Sequence, residues 1–507
     1  MSPADLQLAV GTDGVPTVAG TLYIDGSWRR GSSSRPVLNP ADATEISQVD
    51  EASAEEAGLA VAAARAAFDD GRWSSVPAAE RSAVLGRVAD LLQANRSRIA
   101  RIETLDTGKT LRESEIDVDD VTAVFRYYAA LALGEPGRLV DAGNPAVVSR
   151  VVHEPVGVCA LIGPWNYPLL QMSWKIAPAL AAGCTAVLKP SEVTPLTTVV
   201  LVGLLEDAGV PAGVVNLVLG AGAGVGAALV ESEQVDLVSF TGGLSTGRTI
   251  MRSAADTVKK VALELGGKNP NIVFADADLD AAVDTALTAV FLHAGQVCSA
   301  GTRLLLEEPI ADEFVAELVR RAELIRIGPG LEPESEMPPL VSAEHLAKVE
   351  EYVRVGLAEG ARLLTGGSRL SDDQKGYFYR PTVFTDCRRD MRIVQEETFG
   401  PIVTVERFST EDEAVMLGND TRYGLAGGVW TADRGRAQRV ASRLRHGTVW
   451  INDFGPYLPQ AEWGGFKLSG TGRELGPSGL AEYQEAKHMY ENTEPAAQHW
   501  FSGGQPG

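Results

Sequence analysis

Positive charge, cysteine and histidine are all scarce in this sequence, and each shortage excludes something. The 507 residues carry 45 Lys and Arg against 67 Asp and Glu, a formal net charge of -22. Nucleic acid and anionic membrane surfaces are bound through basic footprints, so neither is expected as a partner. Only four cysteines occur, Cys159, Cys184, Cys298 and Cys387, none in a CxxC pair. That is no disulfide framework for so long a chain, and a reducing cytoplasm is the expected compartment. The six histidines pair with no cysteine at finger-like spacing, which leaves no zinc pattern. The longest apolar run, residues 176–188, is too short to span a bilayer and is followed by Lys189. Residues 1–14 lack a basic segment followed by an apolar core, so no signal peptide is expected.

What is present is ordinary for a soluble globular enzyme: 45% hydrophobic and 22% charged residues. A chain this long exceeds one hydrophobic core and should divide into domains. Residues 1–50 read as short strands and turns, with a hairpin at Tyr23-Ile-Asp-Gly26. Residues 53–134 have apolar positions at helical spacing. From residue 151 the pattern alternates. Strands are expected over 156–162, 185–188, 214–219, 237–240, 262–265 and 271–274, with helices over 170–182 and 197–208. Such alternation argues for an α/β fold with a parallel sheet, and a second alternating stretch covers 280–470. Residues 501–507 read as a loose tail.

Two stretches invite a nucleotide reading. Leu105-Asp-Thr-Gly-Lys-Thr110 ends like a phosphate loop, but Glu103 stands where the first glycine belongs; a helix terminus is expected. Gly220-Ala-Gly-Ala-Gly-Val-Gly226 departs from GxGxxG and has no acid about twenty residues on, so it reads as a turn into a helix with a weak claim on a cofactor.

Three motifs carry chemistry. In Phe291-Leu-His-Ala-Gly-Gln-Val-Cys-Ser-Ala300, Cys298 follows a helical stretch and a Gly-Gln pair. A lone cysteine is more often a small buried hydrophobe, so its context decides. In Leu263-Glu-Leu-Gly-Gly-Lys268, Glu264 ends an apolar strand, where burial would raise its pKa toward that of a general base. In Pro164-Trp-Asn-Tyr-Pro168, Asn166 occupies a proline-bounded loop after a strand; its amide either stabilises the loop or donates to a developing oxyanion.

In this order the three motifs resemble the aldehyde dehydrogenase superfamily. Lys189-Pro-Ser-Glu192, Phe240-Thr-Gly-Gly243, Glu396-Glu-Thr-Phe-Gly-Pro401 and Gly470-Thr-Gly-Arg-Glu-Leu-Gly476 extend the likeness from Tyr23 to Glu491. The resemblance implies a Rossmann-type cofactor domain (1–137 and 157–265), an α/β catalytic domain (266–476) and a small β oligomerisation arm (138–156 and 477–500) that joins a homodimer or homotetramer. It implies NAD-dependent oxidation of a small-molecule aldehyde. Cys298 would be the nucleophile, Asn166 and the Cys298 N–H the oxyanion donors, and Glu264 the base that activates water. Lys175 and Glu474 match a proton relay; otherwise each is a solvated charge or an ion pair. Lys189, Ser191 and Glu192 match the adenine-ribose contacts, with an acid that favours NAD over NADP. Gly163, Pro164, Trp165 and Leu265 would line the cofactor path, Gly242, Gly243 and Ser245 the pyrophosphate, and Glu397 and Phe399 the nicotinamide ribose. Asp106 and the Val193 carbonyl match a potassium site. Gly243 stands where serine is common, and Thr398 where an aliphatic residue is.

Within the superfamily, His293-Ala-Gly-Gln-Val-Cys-Ser-Ala-Gly301, Gly447-Thr-Val-Trp-Ile-Asn-Asp453 and Ala461-Glu-Trp-Gly-Gly465 are most similar to the betaine aldehyde dehydrogenases. That implies a cationic aldehyde held by the aromatic faces of Tyr167, Trp174 and Trp463, and glycine betaine, an osmoprotectant, as product. The alternative is that these rings line an apolar tunnel for an aminoaldehyde or aliphatic aldehyde. Leu292 replaces a tryptophan of some members, and Glu462 a common proline: facing the tunnel it would attract a cation, facing out it would do nothing. A coenzyme A-acylating enzyme is disfavoured by Glu264, which would hydrolyse the thioester. A non-catalytic binding protein is disfavoured by the presence of Cys298, Glu264 and Asn166 together.

Overall fold

Val158–Ile162, Thr185–Lys189 and Leu237–Thr241 are buried along their whole length, and so is the shorter Val215–Leu217. Strands with no polar face belong to a parallel sheet covered on both sides. With Lys260–Glu264 they form the parallel centre of an eight-stranded sheet, edged by antiparallel Gly470–Thr471 on one side and the hairpin Leu22–Ile24/Ser27–Arg29 on the other. Side chains alternate between faces: Cys159 and Leu161 enter one apolar layer, Val158, Ala160 and Ile162 the other. The first strand, Val158–Ile162, lies between the second and the fourth, so the strand order reverses beside it. This is the doubly wound arrangement, with a crevice expected at the carboxyl ends of the strands flanking the reversal.

A second sheet of seven strands runs from Arg362–Thr365 through Arg303–Glu307 and Pro270–Val273 to Thr448–Ile451, parallel except at its first strand. The chain crosses to it once, through Leu265 to Asn269, directly after Glu264. A third sheet joins Gly137–Leu139, Val147–Pro155 and Gln484–Asn492. Helices Ala54–Asp69, Ala78–Ala94, Arg96–Thr107 and Leu111–Leu131 fill the early helical region, and Gly108 caps the third in a left-handed conformation, so the false phosphate loop is a helix terminus.

The computed structural model describes residues 9–10, 16–17, 20–134, 137–371, 373, 375–498 and 500–501. The expectations of no leader in residues 1–14 and of a loose tail over 501–507 fall almost wholly outside the described residues. Among the described residues, no helix is long and apolar enough to cross a membrane.

Candidate active site

The helix Leu279–Phe291 is capped at its start by Asp278. Beyond its end the chain takes three left-handed residues in succession, His293 (φ 48), Ala294 (φ 53) and Gly295 (φ 73). For a residue with a side chain this costs about 1–2 kcal/mol, so the turn must be held from outside. The buried Gln296 side chain donates to His293 O at 3.0 Å and accepts from Val341 N at 2.9 Å. Asn269 donates to the Cys298 carbonyl at 2.9 Å. Cys298 thereby lies where two cavities meet. Neither Asn269 nor the turn was visible in the sequence pattern.

Asn166 follows the strand Val158–Ile162, and Pro168 opens the next helix at the position proline favours. The Asn166 amide is buried and donates to Gln296 O at 2.8 Å. An amide nitrogen has a second N–H, which leaves one donor for an oxyanion beside Cys298.

Glu264 ends the strand Lys260–Glu264 and is buried, with no hydrogen-bond partner for either carboxylate oxygen among the described residues. Burial, then the neighbouring Glu474, pushes its pKa well above the ordinary carboxylate value, against the pull of Lys175 and Arg473. Lys175, fully buried, is ion-paired with Glu474 and also donates to Thr241 Oγ1 at 2.7 Å and Ser239 Oγ at 3.2 Å. Neither member is a solvated charge, and the pair stands within the electrostatic reach of Glu264. Removing Lys175 would strand a buried carboxylate, at a cost of roughly 3–5 kcal/mol. Burial raises the Cys298 thiol pKa, and Glu397 and Glu264 raise it further; only backbone hydrogen bonds oppose them.

The larger cavity, about 620 Å³, opens at the strand-order reversal between Ile162-Gly163-Pro164-Trp165 and Gly242-Gly243. Gly243 begins the helix Leu244–Ala254 without a side-chain cap, so free N–H groups face the cavity, as an anion-binding terminus requires. A Cβ at Gly243 would meet nothing within 4 Å, so the usual serine would fit. Ser245 and Leu265 also line the cavity. At one end Lys189 lies 3.5 Å from Glu192, beside Ser191. At the other, the Glu397 carboxylate accepts from Gly267 N at 3.0 Å and fills the place of a Gly266 side chain, where a Cβ would come within 2.0 Å of it. Burial lifts Glu397 to about 7. The Phe399 ring is edge-on to Trp165 at 5.2 Å. Gly222 and Gly226, in the stretch with the weak cofactor claim, form a π-helical turn on the same wall. Asp106 is buried, with Oδ2 accepting from Leu196 N at 2.8 Å and Oδ1 without a hydrogen-bond partner among the described residues; Val193 lines the large cavity.

The smaller cavity, about 170 Å³, reaches Cys298 from the opposite side. Tyr167, Trp174 and Trp463 line it, joined by Phe454 and Tyr457, which no motif in the sequence marked. Tyr457 and Trp463 stand edge-on to Trp174 at 5.1 and 5.9 Å. Two carboxylates also face this tunnel: Asp117, ion-paired with buried Lys109, and Asp120, which accepts from the Tyr457 hydroxyl. Lys109 sits 4.0 Å from the Tyr167 ring centroid, so one face of that ring is already occupied. Leu292 is 41% exposed on the tunnel wall. Glu462 is exposed and accepts from Ser478 Oγ at 3.0 Å, so it faces outward and plays no part in the tunnel.

A half-buried cysteine between a dinucleotide-type crevice and an aromatic tunnel, with a buried glutamate that has no hydrogen-bond partner among the described residues, defines a class. The aldehyde dehydrogenase family model matches residues 28–489, and the chain belongs to that family. Among its relatives, the betaine aldehyde dehydrogenase of Bacillus subtilis (strain 168) is 58% identical over 486 residues, spanning 95% of this chain and 99% of that protein. Aminoaldehyde dehydrogenase 2 of Zea mays is 45% identical, over 92% and 94%. The crystal structure of Staphylococcus aureus betaine aldehyde dehydrogenase in complex with NAD+ superposes with a TM-score of 0.94 at 52% identity, covering 95% of this chain and 96% of that one.

Proposed function

We propose that the protein oxidises betaine aldehyde to glycine betaine with NAD as cofactor. The observation that carries this is the tunnel: five aromatic rings and two carboxylates, with no lysine or arginine among the described lining residues, leading to Cys298. A quaternary ammonium cannot donate hydrogen bonds, and aromatic faces are its natural receptor. Lys189, Ser191 and Glu192 would hold the adenine ribose, Gly242 to Ser245 the pyrophosphate, and Glu397 the nicotinamide ribose, framed by Trp165 and Phe399. The Cys298 thiol loses its proton to solvent, the thiolate sulfur attacks the carbonyl carbon, and the oxyanion accepts from the Asn166 amide and the Cys298 N–H. NAD, when bound, supplies the hydride acceptor that turns this adduct into a thioester. Glu264 then takes a proton from water, whose oxygen displaces the Cys298 thiolate and leaves the acid. The Glu474 carboxylate, paired with the Lys175 ammonium, then takes that proton on from Glu264.

Asp117 and Asp120 favour a second reading, an aminoaldehyde, because a primary ammonium can donate to carboxylates. The unpartnered Asp106 oxygen supports a potassium ion there, and the three-stranded sheet supports an arm joining a homodimer or homotetramer. The domain division given above suits the three sheets, with Gly470–Thr471 crossing it. Four unpaired cysteines suit a cytoplasmic enzyme. The test is NADH formation at 340 nm with betaine aldehyde, 4-aminobutanal and hexanal, for wild type and Cys298→Ala. Betaine aldehyde is expected to give the highest kcat/KM, and the variant to lose at least ~10³-fold. Preference for 4-aminobutanal would move the assignment to the second reading; undiminished turnover in the variant would overturn the mechanism.

A further inference from the structure

Glu113 lies far from Cys298 in sequence, yet its buried carboxylate connects to the nucleophile's loop. Oε2 accepts from Thr110 N at 2.8 Å and Thr110 Oγ1 at 2.7 Å, closing the capping box that starts the helix Leu111–Leu131. Oε1 accepts from the backbone N–H of His293 at 2.7 Å. A left-handed turn offers that N–H no helical or strand partner, and a buried donor needs one. The turn it opens, His293 to Gly295, is the strained segment before Cys298. It has little room to relax: a Cβ at Gly295 would lie 2.2 Å from the Gly400 carbonyl oxygen. The His293 ring packs edge-on to Tyr167 at 5.5 Å, in the tunnel wall. One turn and two turns beyond Glu113, the same helix carries Asp117 and Asp120, both facing the tunnel.

We propose that Glu113 is a positioning residue for the nucleophile: by holding the His293 N–H it fixes the strained turn that sets the Cys298 pose, in register with the tunnel carboxylates on its own helix. This rests on the reading of Cys298 as nucleophile, which Cys298→Ala tests separately. A capping role alone would make Glu113 no more important to the reaction than Thr110, and this separates the two roles. Thr110→Ala removes the capping box and leaves the His293 bond; Glu113→Ala removes both; Glu113→Gln keeps an amide oxygen for His293.

Tm, kcat, KM for NAD and the rate of iodoacetamide alkylation at the Cys298 peptide across pH are measured on the full-length protein. Glu113→Ala, which also leaves the buried His293 N–H without a partner, is expected to lose more Tm than Thr110→Ala. Only Glu113→Ala should lose kcat, by about tenfold or more, the scale at which sub-ångström misplacement acts. Its KM for NAD stays within about twofold and its Cys298 alkylation rate changes by a common factor at every pH, while Glu113→Gln recovers most of kcat. Equal kcat losses in Thr110→Ala and Glu113→Ala, or unaltered alkylation in Glu113→Ala, would overturn the proposal. If Glu113→Ala does not fold, Glu113→Asp, too short to span both partners, takes its place with the same two outcomes.

Discussion

The two cavities that meet at Cys298 are built by opposite means. The crevice is made largely of backbone: glycines at strand ends, an uncapped helix terminus, and a carboxylate seated where a glycine lacks its side chain. Its shape follows from sheet topology, and few of its side chains can vary without touching the fold. The tunnel is made of side chains from the helices Leu111–Leu131, Pro168–Ala182 and Leu279–Phe291, the Cys298 loop and the loop before Trp463. Cofactor recognition is thus tied to the scaffold, and aldehyde recognition is free to change on it.

The largest effect should come from the group between them. Glu264→Gln is expected to slow steady-state turnover by about 10²–10⁴-fold while still releasing one equivalent of NADH per site in a rapid burst, because the amide cannot deprotonate water but leaves thioester formation intact. Stopped-flow absorbance checks this, and loss of the burst as well would mean the crevice and tunnel do not divide the chemistry at Cys298. The pH dependence follows from sign. With its pKa raised, Glu264 is protonated and idle at low pH, and deacylation should climb as pH rises through that value. The variant should lose this limb.

A smaller change should stay within the tunnel. Trp463→Ala is expected to raise KM for betaine aldehyde about 2- to 30-fold, from about 0.5–2 kcal/mol per cation–π face, with KM for NAD within twofold. Its neutral isostere 3,3-dimethylbutanal should suffer less; equal losses would reduce the ring to an apolar wall. The smallest belongs to the crevice. Glu192→Gln is expected to shift the NADP-to-NAD ratio of kcat/KM by about 2- to 5-fold toward NADP, since the carboxylate is partly solvated and its repulsion screened.

This division also governs what was legible in the sequence. The apolar runs placed the parallel strands of the cofactor sheet to within a residue or two, since a strand buried on both faces is a short continuous apolar run bounded by turn residues. The crevice residues came with them, because Gly163, Gly242 and Leu265 directly follow strand ends. The tunnel was legible only in part. Tyr457, Asp117 and Asp120 belong to a loop and to an apparently amphipathic helix, where an inward acid has the same pattern as an outward one. The left-handed turn at His293 left no mark either: only Gly295 carries the residue type such a conformation favours, and two residues with side chains precede it.

The pairing of Gly470–Thr471 with Leu263 and Glu264 sets a clock on biosynthesis. The strand that carries the base leaves the ribosome early, but its outer neighbour is synthesised about two hundred residues later, on the order of 10–40 s at typical elongation rates. Until then Glu264 lies on an exposed sheet edge, which is also where chains mispair. On the proposed mechanism the nascent protein therefore displays its nucleophile before it can complete a catalytic cycle, and truncation before residue 470 should leave a thiol that captures aldehydes without the strand that frames Glu264.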